Sequence, residues 1–282
     1  MKEEIIIVNK NFNNTVRSMV AAGPEKFHVL ADFDRTLTRA LAANGSEIPS
    51  LISVLRDEGY LTPNYPVKAK ELFNYYHTIE IDPLVPYAEK KKAMYEWWSK
   101  HFQLLIASHL NKKDIAQAVL SQQVRLRDGA KEFLEFLSFK KIPLIIMSAS
   151  GLGKEAISIY LQNQKCFFNN IYIISNEFIW DEDGFAVAVK QPIIHSLNKD
   201  ETVLKDFTFF KILANRKNVL LLGDNPDDIK MITGFDFEHL IKVGFLNKPN
   251  LDNRKIYEQN YDLLIINDGS MEKVNAILKN VF

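Results

Sequence analysis

The chain has 282 residues, 47% of them hydrophobic, and its 35 basic side chains balance 35 acidic ones. Such a composition excludes a chain disordered throughout, and with no net field there is no general attraction for a nucleic acid polymer or an anionic membrane. The single cysteine, Cys166, excludes an intramolecular disulfide and a Cys-rich zinc site.

Met1-Lys2-Glu3-Glu4 followed by Ile5-Ile6-Ile7-Val8 is too short for a secretion signal, and no apolar run reaches the length of a membrane span. The expectation is a cytoplasmic monomer. Residues 11–22 read as a helix closed by Gly23-Pro24, which delivers the chain to the buried strand Phe27-His28-Val29-Leu30-Ala31. From about Arg39 to Val124 the apolar residues recur at helical spacing, so residues 39–124 form a helical insertion. Strand and helix then alternate. Arg127-Asp128-Gly129 opens the helix Ala130 to Phe139, Ile142 to Met147 is a strand, and Gly151 to Leu161 is a helix. Further strands fall at Ile171 to Ile174, Val219 to Leu222, Leu240 to Val243 and Leu263 to Ile266, before a last helix from Met271 to Phe282. Asp181-Glu182-Asp183-Gly184 between apolar stretches marks a hairpin within Phe178 to Ile194. This alternation predicts an α/β fold, a Rossmann-like parallel sheet with helices on both faces.

Three predicted strands end in polar constellations. Asp32 and Asp34 follow the first, one residue apart and with Thr36 beyond; like charges so close call for a cation between them or a raised pKa. Ser148-Ala149-Ser150-Gly151 follows the second, where backbone N–H groups and a helix dipole suit a phosphate. Gly223-Asp224-Asn225-Pro226 follows the third, with Asp228 aimed back by a helix expected to start after Pro226. Each alone is also an ordinary turn or helix cap, and Lys199 alone is an ordinary surface lysine. Together they describe a site at the carboxyl edge of one sheet. Asp32, Asp34, Asp224 and a phosphate dianion bring five negative charges, whereas a magnesium ion and Lys199 bring three positive ones. The remainder favours protonating one carboxylate.

In this order the residues resemble the four motifs of the haloacid dehalogenase superfamily of phosphotransferases. The first is Asp32-Phe33-Asp34-Arg35-Thr36, the second Ser148, the third Lys199, and the fourth Gly223-Asp224 with Asp228. Ile79-Glu80-Ile81-Asp82-Pro83, Glu96-Trp97-Trp98-Ser99-Lys100, Asn198-Lys199-Asp200 and Gly244-Phe245-Leu246-Asn247 bring the likeness closer to the cytosolic type III, or pyrimidine, 5′-nucleotidases. The resemblance implies a catalytic core of residues 1–38 and 125–282 and a helical cap of residues 39–124. It also implies magnesium-dependent hydrolysis of nucleoside 5′-monophosphates, with pyrimidines preferred; transfer to a nucleoside instead of water is a second reading that the sequence does not separate, because the acceptor enters the same site. Asp32 would be the nucleophile and Asp34 the acid and base. Asp32, Asp34 through its main-chain carbonyl, Asp224 and Asp228 would serve the metal, while Ser148, the Ala149 amide and Lys199 would hold the phosphate. Glu80, Trp98 and His101 would line the base pocket.

The second motif departs from the family's usual Ser-Ala-Gly-x-Gly-Asp by one extra residue and by Lys154 in place of the acid, and a change of substrate preference is the expectation. Two other readings remain at this level: hydrolysis of another small phosphate monoester, such as a sugar phosphate or phosphoserine, and a nucleotide-binding protein without catalysis.

Overall fold

The computed structural model describes residues 4–199, 210–234 and 236–281. Strands β1 (Glu4–Ile7), β2 (Phe27–Ala31), β3 (Leu144–Met147), β4 (Ile171–Ile174), β7 (Asn218–Gly223), β8 (His239–Leu246) and β9 (Leu263–Ile266) form one sheet among the described residues. Its order is β1-β9-β8-β7-β2-β3-β4. All neighbours run parallel except β1, which pairs antiparallel with β9 at one edge. Strands β5 (Phe178–Trp180) and β6 (Ala186–Val189) make the separate hairpin that the Asp181–Gly184 turn predicts.

Alternation within the strands explains why both faces are covered. Val29, Ala31, Leu144, Ile146, Leu220 and Leu222 enter one hydrophobic cluster, whereas Leu30, Ile145, Met147, Val219 and Leu221 enter the other. Each is at most 1% exposed. Burying side chains of this size contributes about 1.5–3 kcal/mol apiece, so the three central strands anchor the molecule. They also set the site. From β2 the chain builds outward through β3 and β4 on one side and through β7, β8 and β9 on the other, which puts the reversal of strand order, and its crevice, at the carboxyl end of β2.

Helix α1 (Phe12–Ala22) ends at Gly23 as expected, and α6 (Ala130–Phe139), α7 (Gly153–Asn163) and α9 (Glu272–Val281) follow the predicted alternation; α8 (Leu251–Asn260), between β8 and β9, is not singled out in the sequence. Between β2 and α6 lie α2 (Leu51–Asp57), α3 (Tyr65–Ile81), α4 (Tyr87–Ala107) and α5 (Lys112–Leu120). The antiparallel pair α3 and α4 is held by its own cluster around Tyr76, Met94 and Trp97, in which the rings of Tyr76 and Trp97 stack 6.0 Å apart. The chain leaves the sheet and returns to it side by side: Arg39 N donates to Arg125 O at 2.9 Å and Arg127 N to Leu37 O at 2.9 Å.

No helix among the described residues is long and apolar enough to cross a membrane.

Candidate active site

Asp32, Ser148 and Asp224 each stand just beyond the end of one of three adjacent strands, β2, β3 and β7. Asp32, Asp224 and Asp228 meet: one carboxylate oxygen from each lies within 4.8 Å of the others. Asp228 reaches the group because residues Pro226–Ile232 form a 3-10 turn. Its Oδ2 accepts from the Asp224 and Asn225 amides at 3.1 and 3.0 Å. Gly223 is needed there, since a Cβ on it would lie 2.5 Å from that of Asp228. Lys199, 7% exposed, donates to Asp32 Oδ1 at 2.5 Å and to Asp228 Oδ1 at 3.1 Å. Asp34 lies outside this trio of carboxylates.

Charge in this group is unbalanced. Burial works against the ammonium of Lys199, but Asp228 and Asp32 outweigh it and hold its pKa above the ordinary lysine value. Burial pushes Asp32 upward against the pull of Lys199, and the result stays above the usual carboxylate range. Asp224 is driven well above that range by burial, then by Asp32 and Asp228. Asp34 is raised by burial as well. One lysine does not neutralise three clustered carboxylates, and an all-oxygen donor set missing positive charge fits a hard divalent cation.

The turn after β3 differs from the sequence expectation in where its helix begins. Helix α7 starts at Gly153, with φ +70°, and the residues before it form a longer turn in which the Ser150 and Leu152 amides donate to Ser148 Oγ and Ser150 Oγ at 3.2 and 3.3 Å. A Cβ on Gly151 would lie 2.8 Å from the Trp98 ring, so this turn is packed directly beneath the tryptophan. Lys154 is exposed and lines neither cavity of the site.

Two cavities meet at Asp34, Ser50, Trp98 and Ala149. The first, of about 320 Å³, holds Asp32, Asp224, Asp228, Ser148 and Lys199 together with Glu80 and Ser196. The second, of about 230 Å³, lies between α2, α3 and α4 and holds Phe73, Trp97, His101 and Arg56. The three insertion residues expected in one pocket are thus divided: Glu80 is on the carboxylate side, His101 on the aromatic side, and Trp98 between them. Glu80 accepts from Ser196 Oγ at 2.8 Å, and its other oxygen lies 3.2 Å from His77 Nδ1. Trp98 stacks against Trp97 and Phe102 at 5.6 and 5.7 Å. His101 is 7% exposed, bonded to the Tyr65 hydroxyl at 3.2 Å, and lowered to about 4 by burial and the nearby Arg56.

Sequence reasoning overlooked the buried residue that braces the site. Arg127 is 1% exposed and donates to the Arg35 and Thr36 carbonyls just past Asp34, to Gly269 O at 2.7 Å and to Asn247 Oδ1 at 2.9 Å. Its guanidinium also pairs with Asp268 at 3.0 Å and lies 4.2 Å from the Phe245 ring centroid. A lone arginine carries no pattern. Its one available signal was its place before Asp128-Gly129, at the return from the insertion.

Fold and site together define a phosphohydrolase of the haloacid dehalogenase type. The backbone resembles that of a haloacid dehalogenase family hydrolase from Salmonella enterica serovar Typhi with a TM-score of 0.56 over 96% of this chain and 82% of the other, at 14% identity, a likeness of fold alone. A crystal structure of cytosolic 5′-nucleotidase IIIB bound to cytidine matches far more closely, with a TM-score of 0.90 and 27% identity over 98% of this chain and 93% of that one. Residues 35–282 match the family model described as pyrimidine 5′-nucleotidase (UMPH-1), and the chain belongs to that family. A relative from Mus musculus, named 7-methylguanosine phosphate-specific 5′-nucleotidase, is 35% identical over 94% of this chain and 88% of its own length. The chain is a 5′-nucleotidase, a phosphoric monoester hydrolase, and its substrate is a nucleotide.

Proposed function

We propose that this chain hydrolyses 7-methylguanosine 5′-monophosphate, and cytidine 5′-monophosphate alongside it, through an aspartyl-phosphate on Asp32. The observation that carries the base assignment is Glu80 beside Trp98 in the cavity of the aspartates. A carboxylate accepts hydrogen bonds and offers none, so it selects a base edge made of donors. Guanine presents N1–H and N2–H₂, and cytosine presents N4–H₂. Methylation at N7 makes guanine cationic, which strengthens its stacking on tryptophan and its attraction to Glu80. The names of the relatives support the first substrate and the cytidine in the neighbouring structure supports the second.

In the proposed reaction a carboxylate oxygen of Asp32 attacks phosphorus in line, and the bond to the 5′ oxygen breaks. Asp34, whose pKa burial raises, gives a proton to that oxygen and the nucleoside leaves. Asp34 then takes a proton from water, whose oxygen attacks phosphorus and frees Asp32 as inorganic phosphate departs. Ser148, the Ala149 amide and Lys199 hold the phosphoryl oxygens. Asp32, Asp224 and Asp228, with the Asp34 main-chain carbonyl, would hold Mg²⁺, which supplies Lewis-acid compensation for the phosphate's charge. A nucleoside hydroxyl in place of water gives phosphotransfer at the same site. The helical insertion acts as the cap over it, and the enzyme works in the cytoplasm as a monomer.

Glu80→Ala tests the base assignment. It should raise KM for both nucleotides by about ten- to a hundredfold and leave that for p-nitrophenyl phosphate, which has no base, nearly unchanged. Equal losses on all three would give the specificity to another residue and reopen the reading of a generic phosphatase.

A further inference from the structure

The loop that carries Lys199 is fastened to the helical insertion as well as to the sheet. Asn176 grips the Ile194 backbone from the core side, its Oδ1 accepting from the amide at 2.8 Å and its Nδ2 donating to the carbonyl at 2.9 Å. Asn198 closes the loop on itself: it accepts from His195 N at 2.7 Å and donates to Ile193 O at 2.8 Å. The same few residues then reach across. Leu197, 5% exposed, leaves both sheet clusters and packs with Tyr76, Met94 and Trp97 of α3 and α4. Its carbonyl accepts from the Tyr87 hydroxyl at 2.9 Å, and Ser196 Oγ donates to Glu80 Oε1 at 2.8 Å. Two residues past Leu197, Lys199 reaches Asp32.

We infer that Ser196 and Leu197 are positioning residues, tying Lys199 to the insertion so that a base held at Glu80 sets the ammonium beside the reacting phosphoryl group. The inference rests on the reading of Glu80 as the base-contacting carboxylate. A nucleotide bound at Glu80 and Asp32 touches both ends of this link. A carboxylate has lone pairs enough to keep the Ser196 hydroxyl while accepting from a base, so the link survives binding. Contacts to the base, remote from the reacting bond, are then expressed in kcat as well as in binding, as remote binding energy can be. A loop that merely filled space would affect every phosphate ester alike.

The test compares kcat and KM for wild type, Ser196→Ala, Glu80→Ala and the double variant, on cytidine and 7-methylguanosine monophosphates and on p-nitrophenyl phosphate. Ser196→Ala should lower the ratio of nucleotide kcat to aryl-ester kcat about tenfold, with a smaller change in nucleotide KM. The double variant should be no slower on nucleotides than Glu80→Ala alone, because both break one link. Leu197→Ala should reproduce the split and Leu197→Met should restore it; this pair carries the test if the serine variant fails to fold. Equal slowing on nucleotide and aryl ester, or additive effects of Ser196→Ala and Glu80→Ala, would overturn the inference and leave the proposed function standing. Nucleotides that show no advantage over the aryl ester in wild type would remove both.

Discussion

Asp34 has two tasks in the proposed reaction, and they require opposite protonation states. Burial raises its pKa, the direction that suits proton donation to the leaving 5′ oxygen, and it stands outside the carboxylate trio while lining both cavities of the site. Asp34→Asn should therefore slow nucleotide turnover by about 10²–10⁴-fold, since a ribose alkoxide is a poor leaving group. p-Nitrophenolate leaves without a proton, so the same variant should release a burst of about one equivalent per site and then stall, because no base remains to activate water. Stopped-flow absorbance measures this directly; a linear trace at the wild-type rate would exclude Asp34 from both tasks. The aspartates were legible in the sequence because each follows an apolar strand at a fixed spacing, and so was Ser148. Ser196, Leu197 and Arg127 were not: what they do depends on segments far away in the chain that only folding brings to them.

At the scale of elements, hydrophobic alternation sufficed for the central strands, where every residue of β2, β3 and β7 is buried. Signals weaken at the edge. Strand β1 went unassigned although Ile5-Ile6-Ile7 is an apolar run, because a strand on the rim, with Ile5 and Ile7 42% and 46% exposed, lacks the turn signals and length that mark an inner one. The start of α7 shifted from Gly151 to Gly153 for a tertiary reason: Trp98 of the insertion packs on Gly151, and a glycine there reads in sequence only as a turn residue. Helical periodicity identified the insertion as a whole. It said nothing about which face of α3 or α4 would meet the sheet, and so could not separate Glu80 from His101. Asp200, part of the third-motif resemblance, lies outside the described residues.

For the whole molecule, two buried imidazoles impose an acid limit. His28, whose Nδ1 lies 2.6 Å from the Arg216 carbonyl, is lowered to about 4 by burial despite that hydrogen bond, and His101 is lowered to about 4 by burial and Arg56. A folded-state pKa below the unfolded value of about 6.5 means that the unfolded chain binds more protons between those two pH values. The histidines' contribution to stability is then complete above about pH 6.5 and is lost as pH falls toward 4, by up to about 3 kcal/mol for each, while the raised carboxyls of Asp32, Asp34 and Asp224 act with the opposite sign. In urea midpoints measured at pH 7, 6, 5 and 4.5, the advantage of wild type over His28→Gln should shrink as pH falls; parallel pH profiles for the two would contradict it. The 5′-nucleotidase assignment is a property of the whole chain, since the family match and the structural likeness run through both the sheet and the insertion.

The central claim is that the phosphoryl group passes through Asp32. Rapid acid quench of the enzyme turning over 7-methylguanosine monophosphate with magnesium, followed by peptide mass spectrometry, tests it most directly. The account predicts a phosphorylated peptide containing Asp32, absent with chelator and absent in Asp32→Asn. Turnover with no phosphopeptide, together with inversion of configuration at a chiral phosphorus, would mean direct attack by water and would contradict it.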